Sequence, residues 1–479
     1  MVVFEDPQAV DLVGEQRRCD RIVVMGDADE QDDARSFEGT NDLSGHADPR
    51  IAGALHHSSH RYSVPLRLQF ICNLYRRSVS GMDGPAQHDP PSRLVRSLGL
   101  GGAVAVGVSA MVGTGVFAVW QPALDRAGTW LIFAVVIAGL VASLNATSTA
   151  RLAACYPRAG GVYAYGRAQL NRPVGVLAGV VFIVGKTASA SAAALTIGLY
   201  VWPKHSTAVA LAAIALVLAL NLRGVVRSTR IAAVMVAIVI AILMLFAGLV
   251  GTHVVSQPDL TSPQVATNPV SVLAASALIF VAFAGYARIT VLGEEVRNPA
   301  RVIPRAMALS FAIVLGLYAI VAIVVTAAVG RGVAIGPAAL ADIAESEVGS
   351  WLQSGIVVAA VLAAGAVLLS LIAGVGRTLF AMADAGDAPG FFAAVGETSK
   401  VPYRAEMAAA VGAAILVLLG GLVLALGITA AMILTYYAIS HVAAMRLERS
   451  SGVRGALVAA TPYLGLVGCV SLVGALFLG

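Results

Sequence analysis

The chain has 479 residues, of which 58% are hydrophobic and 12% charged, with a mean hydropathy of +0.83. Soluble domains carry roughly 25% charged residues, so this balance excludes an ordinary soluble protein and places the chain in lipid. The formal charge of +5 could be read as a nucleic-acid footprint, but the location of the basic residues, taken up below, excludes that partner. Cys19, Cys72, Cys155 and Cys469 stand alone, without CxxC or metal-ligand spacing, and read as small apolar fillers.

Residues 1–92 hold 15 of the 27 acidic residues, 9 of the 32 basic ones and five of the eight histidines. Such a segment buries little apolar surface and reads as a disordered polar tail ahead of a membrane domain over 93–479. Its one apolar patch, 64–75, is interrupted by Arg67 and is too short to span a bilayer. Met82 is a candidate translation start, in which case the residues before it are absent from the native protein.

From about residue 98, apolar runs alternate with short polar links. Spans are expected near 98–120, 130–150, 174–202, 208–226 and 231–250, then near 272–292, 306–329, 352–373, 407–426 and 428–445, with an eleventh near 456–478. With the segment before the first span inside, eighteen Arg or Lys fall in inner links, and only Arg126, Lys204 and Arg331 in outer ones. Cytoplasmic links accumulate positive charge, so the N-terminus is inside and, with eleven spans, the C-terminus outside. The basic excess is therefore a topology signal.

The first span contains Ser109-Ala110-Met111-Val112-Gly113-Thr114-Gly115, two glycines flanking a β-branched residue, where helix propensity is poor. Unwound backbone in a membrane is tolerated only where protein or a watery cavity satisfies its polar groups. The sixth span has a matching weak point at Phe280-Val281-Ala282-Phe283-Ala284-Gly285-Tyr286. Interrupted helices at equivalent places in two five-span sets point to a transporter site, with helix ends facing an anion and freed carbonyls facing a cation. A zwitterion suits that geometry; the plainer alternative is that the glycines only let helices pack closely.

In the third span, Lys186 lies about 18 Å along the helix from residue 174, near mid-bilayer, where a charge must face the bundle interior. It is a candidate for proton or substrate coupling, and equally for a structural lysine bonded to carbonyls. His441 in the tenth span is the other buried titratable candidate, although a packing histidine is the commoner case. Gly179 to Thr187 imitates a phosphate-binding loop but has five residues between its glycines where four are required, so no ATP-driven pump is expected. Glu294 and Glu295, beside Arg297 and Arg301, close the sixth span as either a gate of rearranging ion pairs or an ordinary solvated end.

Four stretches then combine in order: Val112-Gly113-Thr114-Gly115-Val116-Phe117; Pro157-Arg158-Ala159-Gly160-Gly161-Val162-Tyr163; Phe283-Ala284-Gly285-Tyr286 followed by Gly293-Glu294-Glu295-Val296-Arg297-Asn298-Pro299; and Arg377 with Ala381-Met382-Ala383-Asp384-Ala385-Gly386-Asp387-Ala388-Pro389. This pattern, over about 93–479, resembles the amino acid-polyamine-organocation (APC) permeases. The resemblance implies an all-α polytopic membrane protein with a five-plus-five inverted repeat, about 11 transmembrane helices and discontinuous first and sixth helices. It also implies a substrate carboxylate held at Ala110, Met111, Val112, Gly113, Thr114 and Gly115, and a substrate ammonium held at Ile279, Phe280, Phe283 and Gly285, with Phe283 and Tyr286 as pocket walls or gates. The sequence departs from the family in having eleven spans where twelve are usual, Arg151 where a carboxylate is common, and no lysine in the fifth span. The coupling ion, a proton or sodium, is therefore not carried over.

The expectation is a secondary active permease for amino acids or small amines in the plasma membrane, an ion symporter or exchanger without cofactor, metal, covalent chemistry or nucleic-acid partner. A channel or non-transporting receptor on the same scaffold is the alternative. An intramembrane enzyme is disfavoured because no span carries paired carboxylates or a His/Glu cluster. The sequence leaves the oligomeric state open.

Overall fold

A chain segment in hydrocarbon must close its backbone hydrogen bonds internally, so each apolar run folds as a helix. The computed structural model describes residues 99–155, 161–223, 229–255, 268–286, 296, 299–396, 401–451 and 456–478. The first span is divided into α1 (Leu100–Met111) and α2 (Gly115–Ala118), and α3 (Trp120–Ala127) leads to α4 (Leu131–Cys155). After the short α5 (Val162–Gln169) come α6 (Arg172–Val201), α7 (Ser206–Leu222), α8 (Thr229–Val255) and α9 (Pro269–Phe283). The remainder is α10 (Pro299–Gly330), the short α11 (Ala339–Glu347), α12 (Ser350–Asp384), α13 (Tyr403–Leu419), α14 (Leu422–Ser451) and α15 (Ala456–Leu478). Among the described residues nine helices are long and apolar enough to cross a membrane, and α9 is a shorter apolar helix.

Local chemistry sets several ends. The Asn171 side chain accepts from the Val174 amide at 2.9 Å and Asn268 from Val270 at 3.0 Å, each with a proline in the first turn, so α6 and α9 both start with a side-chain cap. The boundary between the ninth and tenth spans falls at Gly420-Gly421, not at Gly427 as the run pattern suggests. Gly420 is extended (φ −160°), and two adjacent glycines stop a helix that a lone one does not. α12 continues to Asp384, eleven residues past the expected end at 373, because its last turns pack against protein. The polar tail, residues 1–92 with the Met82 start, lies outside the described residues.

α6 is the central post, packed against α12, α14, α7, α5 and α13. It can serve five neighbours because its buried faces are built from small residues: Gly175, Ala178, Gly179, Gly185, Ala188 and Ala190 through Ala194. A Cβ on Gly179 would stand 2.5 Å from the Met382 sulfur of α12, and one on Gly185 2.8 Å from Met432 Cβ of α14. On the other side of the molecule α9 lies among α4, α15 and α3, while α1 packs along α10.

Candidate functional site

The α1 ladder ends where Val112 N donates to Val108 O at 2.8 Å, and Gly113 N turns back to Met111 O at 2.8 Å. Helical bonding resumes from Thr114 O, which accepts from Phe117 N at 3.0 Å and Ala118 N at 3.1 Å. Residues 112–114 are thus non-helical in mid-span. The predicted interruption of the sixth span is present on its first side: α9 stops at Phe283, and Ala284 N reaches only Val281 O at 3.3 Å. Residues 284–286 form a turn, and Glu294, Glu295 and Arg297 lie outside the described residues.

The two interruptions touch. A Cβ on Gly285 would overlap the Ala110 carbonyl and stand 2.8 Å from Met111 N, while one on Gly115 would overlap the Ala282 backbone. Each break therefore presents a glycine to the backbone of the other, and only a residue without a side chain permits that approach. Tyr318 of α10 ties them together: its hydroxyl donates to Met111 O at 2.8 Å and lies 3.2 Å from Ala282 O.

Aromatic rings surround this junction. Phe283 stacks on Phe311 (6.3 Å, 16°) and meets Tyr318 edge-on at 5.0 Å; Tyr286 lies 5.5 Å from Phe311 and 5.4 Å from Tyr437. Phe280 meets Tyr437 at 6.1 Å. Met111, Val112, Ile279, Phe280, Phe283 and Tyr286 are all at most 1% exposed. One polar atom there has no hydrogen-bond partner among the described residues, the hydroxyl of Thr114. Buried polar groups are ordinarily paired, so this hydroxyl is an exception.

The structure thus brings together the residues from Ala110 to Gly115 with Phe280, Phe283, Gly285 and Tyr286. Sequence reading missed Tyr318, Phe311 and Tyr437. A phenol in the middle of an apolar run must find a partner for its hydroxyl, and that signal was available for Tyr318.

The other candidates lie elsewhere. Lys186 is half-buried on α6, beside Gly185, which faces α14, and Thr187, which lies against Gly412 of α13. His441 is fully buried in a polar cluster joining α4, α14 and α15, with Nδ1 3.0 Å from Ser148 Oγ and Nε2 2.7 Å from Asn145 Oδ1. The Cys469 thiol donates to the same Asn145 oxygen at 3.3 Å. Arg301 is exposed in the first turn of α10.

A charged cluster lies at the end where α5 meets the segment after α12. Asp387 Oδ2 accepts from Tyr163 Oη at 2.6 Å and Arg167 Nη1 at 2.7 Å, and Oδ1 accepts from Arg172 Nε at 2.8 Å. Burial pushes this carboxyl up, but the Tyr163 hydroxyl and the two guanidiniums outweigh that and hold it below the usual carboxylate range.

A sequence profile described as Amino acid permease matches residues 98–479. The chain is 41% identical over 389 residues to an uncharacterized transporter of Mycobacterium tuberculosis, covering 81% of this chain and 88% of the relative. It is 27% identical to the branched-chain amino acid permease BcaP of Bacillus subtilis and 29% to the methylthioribose transporter of that organism, in each case covering 65% of this chain and 72% of the relative. The chain therefore belongs to the amino acid permease family of the APC superfamily, whose members are multi-pass membrane transporters.

Proposed function

We propose that the protein is a secondary active permease that moves amino acids or related small amines across the plasma membrane by alternating access, as an ion symporter or an exchanger. The observation that supports this most is the contact of two interrupted helices, Gly285 on Ala110 and Gly115 on Ala282, at a junction bearing the unpartnered Thr114 hydroxyl. In this reading the substrate carboxylate takes the backbone amides between Ala110 and Gly115, and its ammonium takes carbonyls at Ile279, Phe280, Phe283 and Gly285. Phe283 and Tyr286 are walls that must swing aside. The scaffold is a five-plus-five inverted repeat, N-terminus inside, in which one helix bundle rocks against the other.

Met111, Val112, Phe280 and Phe283 give the junction an apolar lining, which favours a neutral apolar side chain. Of the relatives, the branched-chain amino acid permease fits that lining. Lys186 and His441 are the proposed coupling groups, and Glu294, Glu295, Arg297 and Arg301 the proposed inner gate. The test is uptake in proteoliposomes, competed by each of the twenty amino acids and a few amines, at two pH values with and without sodium. Saturable uptake with countertransport is expected. Flux without saturation or countertransport would replace the permease reading with a channel.

A further inference from the structure

Two carboxyls near the ends of α12 and α13 are shielded from solvent, and they are treated in opposite ways. The Asp387 side chain is 1% exposed and is surrounded by Tyr163, Arg167 and Arg172. Glu406, one turn into α13, is 3% exposed, and its Oε2 has no hydrogen-bond partner among the described residues. Its burial follows from a notch in the neighbouring helix. At Gly376 of α12 there is no side chain, so α13 closes until Glu406 Cγ stands 2.5 Å, and its Cα and N 3.2 Å, from where a Cβ would be. The acid stem fills the space that any other residue at 376 would occupy.

Among the described residues no counter-ion forms an ion pair with Glu406. Arg377 follows the notch and acts on Glu406 electrostatically, yet it is exposed and forms no ion pair with it. The other charged and titratable groups on the packed elements are Arg172, Lys186 and Tyr200 on α6, Arg223 at the end of α7, Asp384 on α12, Tyr403 and Arg404 on α13, and Tyr436, Tyr437, His441, Arg446, Glu448 and Arg449 on α14. Arg172 is committed to Asp387. A carboxylate taken from water without a paired cation or a full set of donors favours its neutral form.

We propose that Glu406 is a proton-binding site of the transport cycle, carrying its proton in the conformation described here and exchanging it when the cycle admits water to the α12–α13 contact. This rests on the permease reading and adds a coupling site to it. The step is a simple ionisation: the carboxyl O–H bond breaks, the electron pair stays on oxygen and the proton passes to water. An acid at a close helix contact suits the role, because gaining or losing its charge changes how well α13 seats in the Gly376 notch.

The test uses the full chain. Infrared difference spectra of the purified protein along a pH titration are expected to contain a protonated-carboxyl band that weakens as pH rises and persists above the pH at which an exposed carboxyl ionises, and Glu406→Gln is expected to remove it. A band set unchanged in Glu406→Gln overturns the assignment, and a Glu406 band that does not change with pH makes it a fixed structural acid and overturns exchange. The wild-type titration stands even if the variant fails to fold. In proteoliposomes, the lumenal pH change driven by a mixture of the twenty amino acids should fall about tenfold or more in Glu406→Gln; an unchanged pH signal sinks the coupling role. If the wild type moves none of the twenty, the permease reading fails, while the infrared result still decides whether Glu406 binds a proton.

Discussion

At the break in the first helix the Met111 carbonyl loses its ordinary helical partner and accepts instead from Gly113 N and from the Tyr318 hydroxyl, each at 2.8 Å. Tyr318 supplies a second donor from another helix and reaches the Ala282 carbonyl as well, so one hydroxyl ties both interruptions together. Tyr318→Phe keeps the ring against Phe283 and Trp120 but removes that donor. It should destabilise the protein by about 0.5–1.5 kcal/mol and reduce uptake, read by thermal unfolding and proteoliposome flux. A variant with wild-type stability and flux would remove Tyr318 from the junction. Gly285→Ala acts differently, because its methyl would overlap the Ala110 carbonyl and force the two backbones apart. Overpacking costs about 1–3 kcal/mol, and because it falls on the proposed binding geometry, uptake is expected to drop tenfold or more even where the protein still folds. The glycines were legible in the sequence because poor helix propensity in mid-span is a local signal. Tyr318 was harder to find, since its partners lie 207 and 36 residues away along the chain.

Among the elements, α5 is a link that acts as a brace. Gly161 enters it at φ 56°, the Val162 amide donates to Tyr436 Oη of α14 at 3.0 Å, and Tyr163 with Arg167 holds Asp387 beyond α12. One short helix thereby ties α14 to the far end of α12. Asp387→Asn leaves two guanidiniums facing a neutral amide and should cost about 1–2 kcal/mol, moderated because Arg172 is 62% exposed. The pH dependence has a definite sign. The folded carboxyl ionises below its unfolded value of about 4, so its contribution is present above that value and is lost as pH falls through the lower folded one. The gap in thermal midpoint between wild type and Asp387→Asn should therefore hold from neutral pH down to about pH 4 and close below it. A gap that grows on acidification would contradict the assignment. The sequence marked this link and the Asp387 motif as familial without indicating that they meet. Their pairing depends on α6 bringing α5 beside α12, a tertiary fact that hydropathy does not encode.

For the whole molecule, hydropathy located the apolar helices well, since each run must satisfy its own backbone in lipid. It failed at their ends and interruptions: α12 outlasts its apolar run, Gly420-Gly421 takes the break expected at Gly427, and α11 folds inside what read as a loop. These are places where protein contacts, rather than lipid, decide the backbone. Orientation is a different matter, since it follows from eighteen inner against three outer basic residues and from no contact in the fold. The link between α6 and α7 carries Lys204 and should face outward, whereas the segment after α12, which carries Gly390, should face the cytoplasm. Single cysteines at Lys204→Cys and Gly390→Cys, in a background lacking the native cysteines, separate the alternatives. A membrane-impermeant maleimide applied to intact cells should label the first, and the second only after permeabilisation. Equal labelling of both would mean a mixed topology, and reversed labelling would turn the proposed inner gate at Arg301 and the Asp387 brace toward the outside.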